Sequence, residues 1–260
     1  MSRPKKRYGQ HFLHDPGTID RIVRAIDPQP GDRLVEIGPG RGAISAALLD
    51  GAGALDVIEI DPDVIPALTR RCADRGELRV HLADALEFDF RALRGSGAKL
   101  RLAGNLPYNV STPLLFRLIE QIDAIADMHF MLQKEVVARM AARPGTRDYG
   151  RLTVMLAPHV RVRPLFDIGT GAFSPPPRVQ STYFALEPLS EPPFALGDRT
   201  AFARVVAAAF SQRRKTLRRS LAQKLGDRTE AVLAAAGIDA RARAEVLDLG
   251  DWARLCRESA

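Results

Sequence analysis

The residues of this chain best suited to chemistry lie at Asn105-Leu106-Pro107-Tyr108, inside the stretch "KLRLAGNLPYNVSTPLLF" at positions 99–116. An amide, a proline and an aromatic are an unusual choice where a short turn would do. Lys99 to Ala103 alternates basic and apolar residues as a strand does, and Pro107 cannot donate into a central ladder, so the strand must stop by Leu106. Thr112 reads as a helix N-cap and Pro113 as the first helical position, opening the apolar run Leu114, Leu115, Leu118 and Ile119. Asn105 to Tyr108 is therefore expected just past the carboxyl end of a strand, where open α/β sheets bind their ligands.

A second set of residues points to the same edge. In "RLVEIGPGRGAIS", Gly38, Gly40 and Gly42 follow a strand, where glycine lets the backbone turn tightly and approach a ligand. Glu59 ends the next strand, where a carboxylate can accept hydrogen bonds from both hydroxyls of a ribose. These two features alone also fit a dinucleotide oxidoreductase, since "GPGRGA" satisfies G-x-G-x-x-A. Asp84, in "HLADAL", closes the third strand and can take a hydrogen bond from an adenine amino group, and Asn105 closes the fourth. Glycines, an acid, Asp and Asn-x-Pro-Tyr on four successive strand ends is the order seen in S-adenosylmethionine-dependent methyltransferases. Nothing supplies the hydride-transfer partners or the substrate acid/base pair of a dehydrogenase.

The elements that must position these residues are visible as an alternation. "RLVEIG", "ALDVIEID", "ELRVHLAD", "KLRLAG" and "DMHFMLQ" are strand candidates separated by helical stretches, which predicts βαβ units and a mostly parallel sheet covered on both faces. "VRVRPLFDIG" and "STYFALEP" read as a further, antiparallel pair flanking "TGAFSPPPRVQ". After the proline-rich "LEPLSEPPFALGD" the sequence turns to Ala, Arg and Leu at helical spacing, so the reading places a catalytic α/β domain at 1–188 and a small all-helical domain at 189–260.

Of the 260 residues, 46% are hydrophobic and 27% charged, ample for two cores. No apolar run reaches the roughly 18 residues of a membrane span, and "MSRPKKRYGQHF" lacks a signal-peptide core, so the expected location is cytoplasmic. Cys72 and Cys256 stand in unrelated contexts, which argues against a disulfide framework or a bound metal. The formal net charge is +7, and residues 199–224 carry eight basic side chains and no acidic one, so this one segment accounts for the whole excess. Arg3, Lys5, Lys6 and Arg7 form a second cluster. Charge concentrated in this way is the footprint of a nucleic-acid partner, although a basic run taken alone more often marks a solvated face.

From end to end the chain resembles the small-subunit (16S) ribosomal RNA adenine N6,N6-dimethyltransferases, the kasugamycin-sensitivity dimethylases. The likeness rests on "GQHFLHD", "VEIGPGRG", "IEID", "GNLPYNVSTPLLF", "DMHFMLQKEVVARM", "YGRLTVM", "FSPPPRVQS" and "FSQRRKTLRRSL". It implies a Rossmann-like catalytic domain with S-adenosyl-L-methionine as cofactor, held by His11, Leu13, Gly38, Glu59, Asp84 and Asn105. His11 stands where many relatives have asparagine, and a ring nitrogen would be the donor there. The implied reaction is dimethylation of N6 on two adjacent adenosines near the 3′ end of small-subunit ribosomal RNA. The Asn105 side-chain carbonyl and the Leu106 backbone carbonyl would each accept one N6 hydrogen, localising a lone pair otherwise delocalised into the ring. Tyr108 would supply a stacking face, with Phe173 on the opposite face.

In "SQRRKTLRRSLAQKL", Leu217, Leu221 and Leu225 form a docking stripe, and Arg214 with Arg218 and Lys215 with Arg219 fall at i, i+4. Phosphates would relieve that repulsion, so Arg213, Arg214, Lys215, Arg218 and Arg219 are the expected RNA contacts of a monomer acting on the assembling small subunit. The rival readings are a large-subunit RNA or DNA adenine methylase, and a ribosome-assembly factor whose binding matters more than its catalysis. "FSPPPRV" together with "QRRKTLRRSL" is most similar to the small-subunit branch.

Overall fold

The computed structural model describes residues 10–108, 110–193, 198–212 and 214–259, so the basic cluster at 3–7 and Arg213 lie outside the described residues. The elements run β1 (Phe12–Leu13), α1 (Pro16–Ile26), β2 (Leu34–Ile37), α2 (Ser45–Ala52), β3 (Ala54–Glu59), α3 (Ile65–Cys72), β4 (Glu77–Leu82), α4 (Phe90–Arg94), β5 (Leu100–Asn105), α5 (Ser111–Glu120) and β6 (Ile125–Gln133). They continue through α6 (Lys134–Met140), α7 (Arg151–Leu156), β7 (Val160–Ile168), β8 (Phe173–Ser174), β9 (Ser181–Pro188), α8 (Arg199–Ala209), α9 (Leu217–Leu225), α10 (Thr229–Ala235) and α11 (Leu249–Glu258).

Seven strands form one sheet in the order β4-β3-β2-β5-β6-β9-β7. The pairs from β4 to β6 are parallel, and β9 runs antiparallel to β6. All four residues of β2 are buried, as expected of a central parallel strand covered on both faces, whereas the edge strand β4 is largely exposed. The order reverses beside β2: the chain steps outward through β3 and β4, then returns to the other side of β2 for β5 and β6. Connections leaving the carboxyl ends of β2 and β5 therefore diverge, and a crevice opens between them. Below that crevice the backbones meet closely, because a Cβ on Gly104 would lie 2.4 Å from the Ile37 carbonyl oxygen.

The helix after "NLPY" starts earlier than its sequence suggests. Ser111 is its first residue and Val110 occupies the cap position without a side-chain bond, so Thr112 is not the N-cap and Pro113 is the third helical residue. Proline is tolerated there because first-turn N–H groups have no intrahelical acceptor. The Ser111 hydroxyl instead donates to the Tyr108 carbonyl at 3.1 Å and closes the turn.

The chain divides into two compact units, and the division departs from a single cut at 188. One unit takes the chain up to Val137 together with Arg163–Pro188, and the other takes Ala138–Val162 with everything from Leu189 on. The reason is packing. Tyr149 and Val154 belong to the core built by Phe202, Val206, Leu217, Leu221, Leu233 and Trp252. The Tyr149 hydroxyl donates to the Leu247 carbonyl at 2.7 Å and accepts from the Trp252 indole nitrogen at 3.1 Å.

Candidate active site

A cavity of about 460 Å³ occupies the crevice at the carboxyl ends of β2, β3 and β5. His11, Leu13, Gly38, Glu59, Asp84, Asn105, Leu106 and Tyr108 all line it, so eight of the nine residues singled out for cofactor and catalysis are brought together. Phe173 is not among them. Its ring is 3% exposed and sits in the core cluster with Leu13 and Tyr183, because β8 pairs with β1 and sets Phe173 opposite Leu13. The neighbouring Ser174 lines the cavity instead.

The glycine-rich turn and Glu59 are coupled. Gly38 and Gly40 have φ of +69° and +54°, a region in which a Cβ is strained. That turn points the Gly40 N–H at Glu59, whose carboxylate accepts it at 3.1 Å and also accepts from Ile60 at 3.0 Å and Asp61 at 2.9 Å. Burial raises the Glu59 pKa against the pull of these three donors. A desolvated carboxylate of this kind is completed by hydroxyl donors, which is what a ribose diol offers. Asp84 is aimed by the Leu86 N–H, accepted on Oδ1 at 2.9 Å. Beside it, Ile60 is 43% exposed at the cavity wall, an apolar surface for a flat ring that the strand pattern had not singled out. The size, the two carboxylates and the apolar wall fit an adenosyl group. Glu59→Ala is expected to weaken binding of S-adenosylhomocysteine by roughly 1.5–3 kcal/mol for each hydrogen bond removed, read by titration calorimetry.

Asn105 is held in a defined orientation. Its Nδ2 donates to the His11 carbonyl at 3.0 Å, an acceptor that only the amide nitrogen can satisfy. The side-chain oxygen is then the atom left to accept from a ligand. His11 is braced at one ring nitrogen: its Nδ1 lies 2.8 Å from the Pro175 carbonyl, which can only accept, so the hydrogen on that nitrogen is directed there. The same ring stacks on Tyr108 at 5.9 Å between centroids. The Tyr108 hydroxyl pairs with the buried Ser181 hydroxyl at 2.7 Å, and burial raises its pKa. Ser181, at the start of β9, is a supporting residue with no local signal in its own segment.

Glu36, on β2, is another residue the strand pattern left unassigned. It lines the cavity, is almost wholly buried and accepts from the Ser45 hydroxyl at 2.5 Å. Burial lifts its pKa to about 8. A carboxyl raised from 4.5 in this way binds a proton in the folded state that the unfolded state has released. Stability from this group is present below about pH 4.5 and is lost as pH rises toward 8. Glu36→Gln keeps an acceptor for Ser45 and removes the titration. In thermal melts the variant should gain on the wild type between pH 5 and pH 8.

The basic residues stand on different supports from those expected. Arg214 and Lys215 lie in the turn before α9, whose cap is Thr216, so they form no helical i, i+4 pairs with Arg218 and Arg219. The helix starts there because the Leu217 and Arg218 N–H groups are taken by the Ala242 and Ala240 carbonyls. All four side chains are exposed, and Arg218 pairs with Glu230 at 2.7 Å. Leu217 and Leu221 are buried, and Leu225 packs against the same core.

Comparison with known proteins places the chain among RNA adenine methylases of known fold. The family model described as ribosomal RNA adenine dimethylase matches residues 1–260. The chain is 52% identical over 256 residues to the ribosomal RNA small subunit methyltransferase A of Nitrosococcus oceani, covering 98% of this chain and 96% of that one. It is 51% identical over 258 residues to the protein of the same name from Pseudomonas aeruginosa, covering 99% and 95%. Among solved structures it is similar to a dimethyladenosine transferase from Plasmodium falciparum, with TM-score 0.77 and 26% identity over 94% of this chain and 96% of that one. It is also similar to the 23S rRNA methyltransferase ErmE, with TM-score 0.70 and 26% identity over 95% and 98% of the two chains. Given this match along its whole length, the chain belongs to the ribosomal RNA adenine dimethylase family.

Proposed function

We propose that the protein transfers methyl groups from S-adenosylmethionine to N6 of two adjacent adenosines in the 3′-terminal hairpin of small-subunit ribosomal RNA. The observation that carries this reading is the Asn105 amide, locked through Nδ2 so that its oxygen is presented at the cavity that also holds Glu59 and Asp84. When bound, the cofactor supplies an electrophilic methyl sulfonium. Glu59 would take its ribose and Asp84 its adenine amino group, with Gly38 and Leu13 lining the rest of the cavity.

An adenine N6 amine is a poor nucleophile because its lone pair belongs to the ring. The Asn105 Oδ1 and the Leu106 carbonyl would each accept one N6 hydrogen and draw the nitrogen toward a pyramidal geometry, which frees its lone pair for the transfer. No strong base is needed, because the alkylated nitrogen is acidic and gives up its proton readily. Tyr108 stacks on the base, its ring steadied by His11 on one side and by Ser181 at the hydroxyl. Phe173 supports this site from within the core. Most of the rate comes from positioning and electrostatics.

The helical unit supplies affinity. Cations at a helix N-terminus oppose the helix dipole, so Arg218 and Arg219 at the start of α9, with Arg214 and Lys215 just before it, are better accounted for by RNA phosphate than by helix stability. The assembling small subunit in the cytoplasm is the substrate form this reading favours. Every described residue lining the catalytic cavity comes from one unit, and the reading takes the protein to act as a monomer. Among the described residues no helix is long and apolar enough to cross a membrane. The test is incubation with labelled S-adenosylmethionine and undermethylated ribosomal subunits. Label should enter small-subunit RNA, and label in large-subunit RNA alone would overturn the assignment.

A further inference from the structure

The loop at 175–180, "PPPRVQ", is anchored at both ends beside the catalytic turn and, apart from the buried Pro177, leaves its side chains exposed. The Pro175 carbonyl accepts from His11 Nδ1, and the Gln180 carbonyl accepts from the Lys134 N–H at 3.0 Å. The next residue, Ser181, holds the Tyr108 hydroxyl. Ser174, immediately before the loop, lines the cavity. The loop is thus fixed at the rim beside the place where Asn105 and Tyr108 meet a base.

Two of its exposed side chains stand out, and among the described residues Arg178 has no hydrogen-bond or ion-pair partner. Arg178 is exposed and is the only charged residue between Asp167 and Glu187. The carboxylates at those two ends are already engaged, Asp167 by Lys134 and Glu187 by Arg163. Val179 is 46% exposed, one of few large apolar side chains turned to solvent among the described residues. Pro175 and Pro176, on the same loop, are exposed as well. A guanidinium without a partner among the described residues, on a loop with exposed apolar side chains and no negative charge, fits a polyanion that also carries flat apolar faces. An RNA strand is such a partner. A base drawn from its stack leaves an exposed step behind, and proteins that work on extruded bases cover that step with an apolar side chain while fixing the backbone with cations.

We infer that this loop seats the RNA strand around the target adenosine, with Arg178 holding a flanking phosphodiester and Val179 covering the base step that the adenosine leaves. The inference rests on the methyltransferase reading above and adds to it the surface that presents the base. It assigns the two side chains separable effects: Arg178 governs affinity and its salt dependence, and Val179 governs the rate at which bound adenosine reaches Asn105.

The experiment uses the full chain, undermethylated small subunits and labelled S-adenosylmethionine. Arg178→Glu should weaken subunit binding about five- to tenfold and flatten the log–log salt dependence by about 0.7–0.9, with Arg178→Lys restoring most of both. Val179→Gly should lower kcat about tenfold with little change in KM, and Val179→Leu should recover it. S-adenosylhomocysteine affinity and thermal melting should match the wild type in all four variants. Unchanged subunit affinity and salt slope in Arg178→Glu, or unchanged kcat in Val179→Gly, would overturn the inference. A parallel loss of S-adenosylhomocysteine affinity would do the same, by showing that the loop acts on the cofactor site. A wild type that leaves small-subunit RNA unlabelled would instead contradict the methyltransferase reading itself.

Discussion

Asn105→Ala is expected to slow methyl transfer by a hundredfold or more while the protein still folds. The amide does two jobs that alanine cannot. In the proposed mechanism its oxygen accepts from N6, and its nitrogen ties the turn to the His11 carbonyl at 3.0 Å. Removing one oriented polar group of this kind from a preorganised site typically costs about 10²–10³ in rate. A hundredfold is about 2.7 kcal/mol of lost transition-state stabilisation. The missing bond to His11 costs stability only on the order of 1 kcal/mol, since the Asn105 backbone stays in β5. Single-turnover transfer to undermethylated small subunits, set beside a thermal melt, separates the two effects. Near-normal turnover would remove Asn105 from the mechanism.

The second large effect belongs to the other unit. Replacing Arg214, Lys215, Arg218 and Arg219 together by Glu should nearly abolish subunit binding and leave S-adenosylhomocysteine affinity unchanged. The residues lining the cavity belong to the unit that ends at Val137 and resumes at Arg163, and these four belong to the other. Each cation that no longer meets a phosphate should also flatten the log–log salt dependence by about 0.7–0.9. Arg218 contributes least in this account, because Glu230 already neutralises it at 2.7 Å. Binding at two salt concentrations checks both statements. Unchanged affinity and slope would reduce the cluster to a solvated face.

The site-bearing strands β2 to β5 were legible in the sequence because each ends on, or within two residues of, a glycine or a polar side chain with chemistry to do. Gly38, Glu59, Asp84 and Asn105 could be placed on successive strand ends for that reason, and the structure gathers them around one cavity. What escaped depends on distant partners. Residues 138–162 join the helical unit because Tyr149 packs with Phe210 and Trp252, which nothing within the segment announces. The α9 helix begins at Leu217 because carbonyls more than twenty positions away, at Ala240 and Ala242, take its first N–H groups. Phe173 turned inward because the two-residue strand it occupies pairs with Phe12–Leu13, a bridge too short to carry a periodic signal. His11 has the chemistry of a cofactor donor, and only the fold shows that the Pro175 carbonyl holds its Nδ1.

The central claim is that one locked amide at the end of β5 directs methyl groups to adenine N6. Nucleoside analysis of small-subunit RNA, digested after treatment of undermethylated subunits with wild type or with Asn105→Ala, tests it most directly. The account predicts N6,N6-dimethyladenosine at two adjacent positions near the 3′ end with the wild type and none with the variant in the same time. Equal dimethyladenosine from both proteins, or methyl groups on another atom or base, would contradict it.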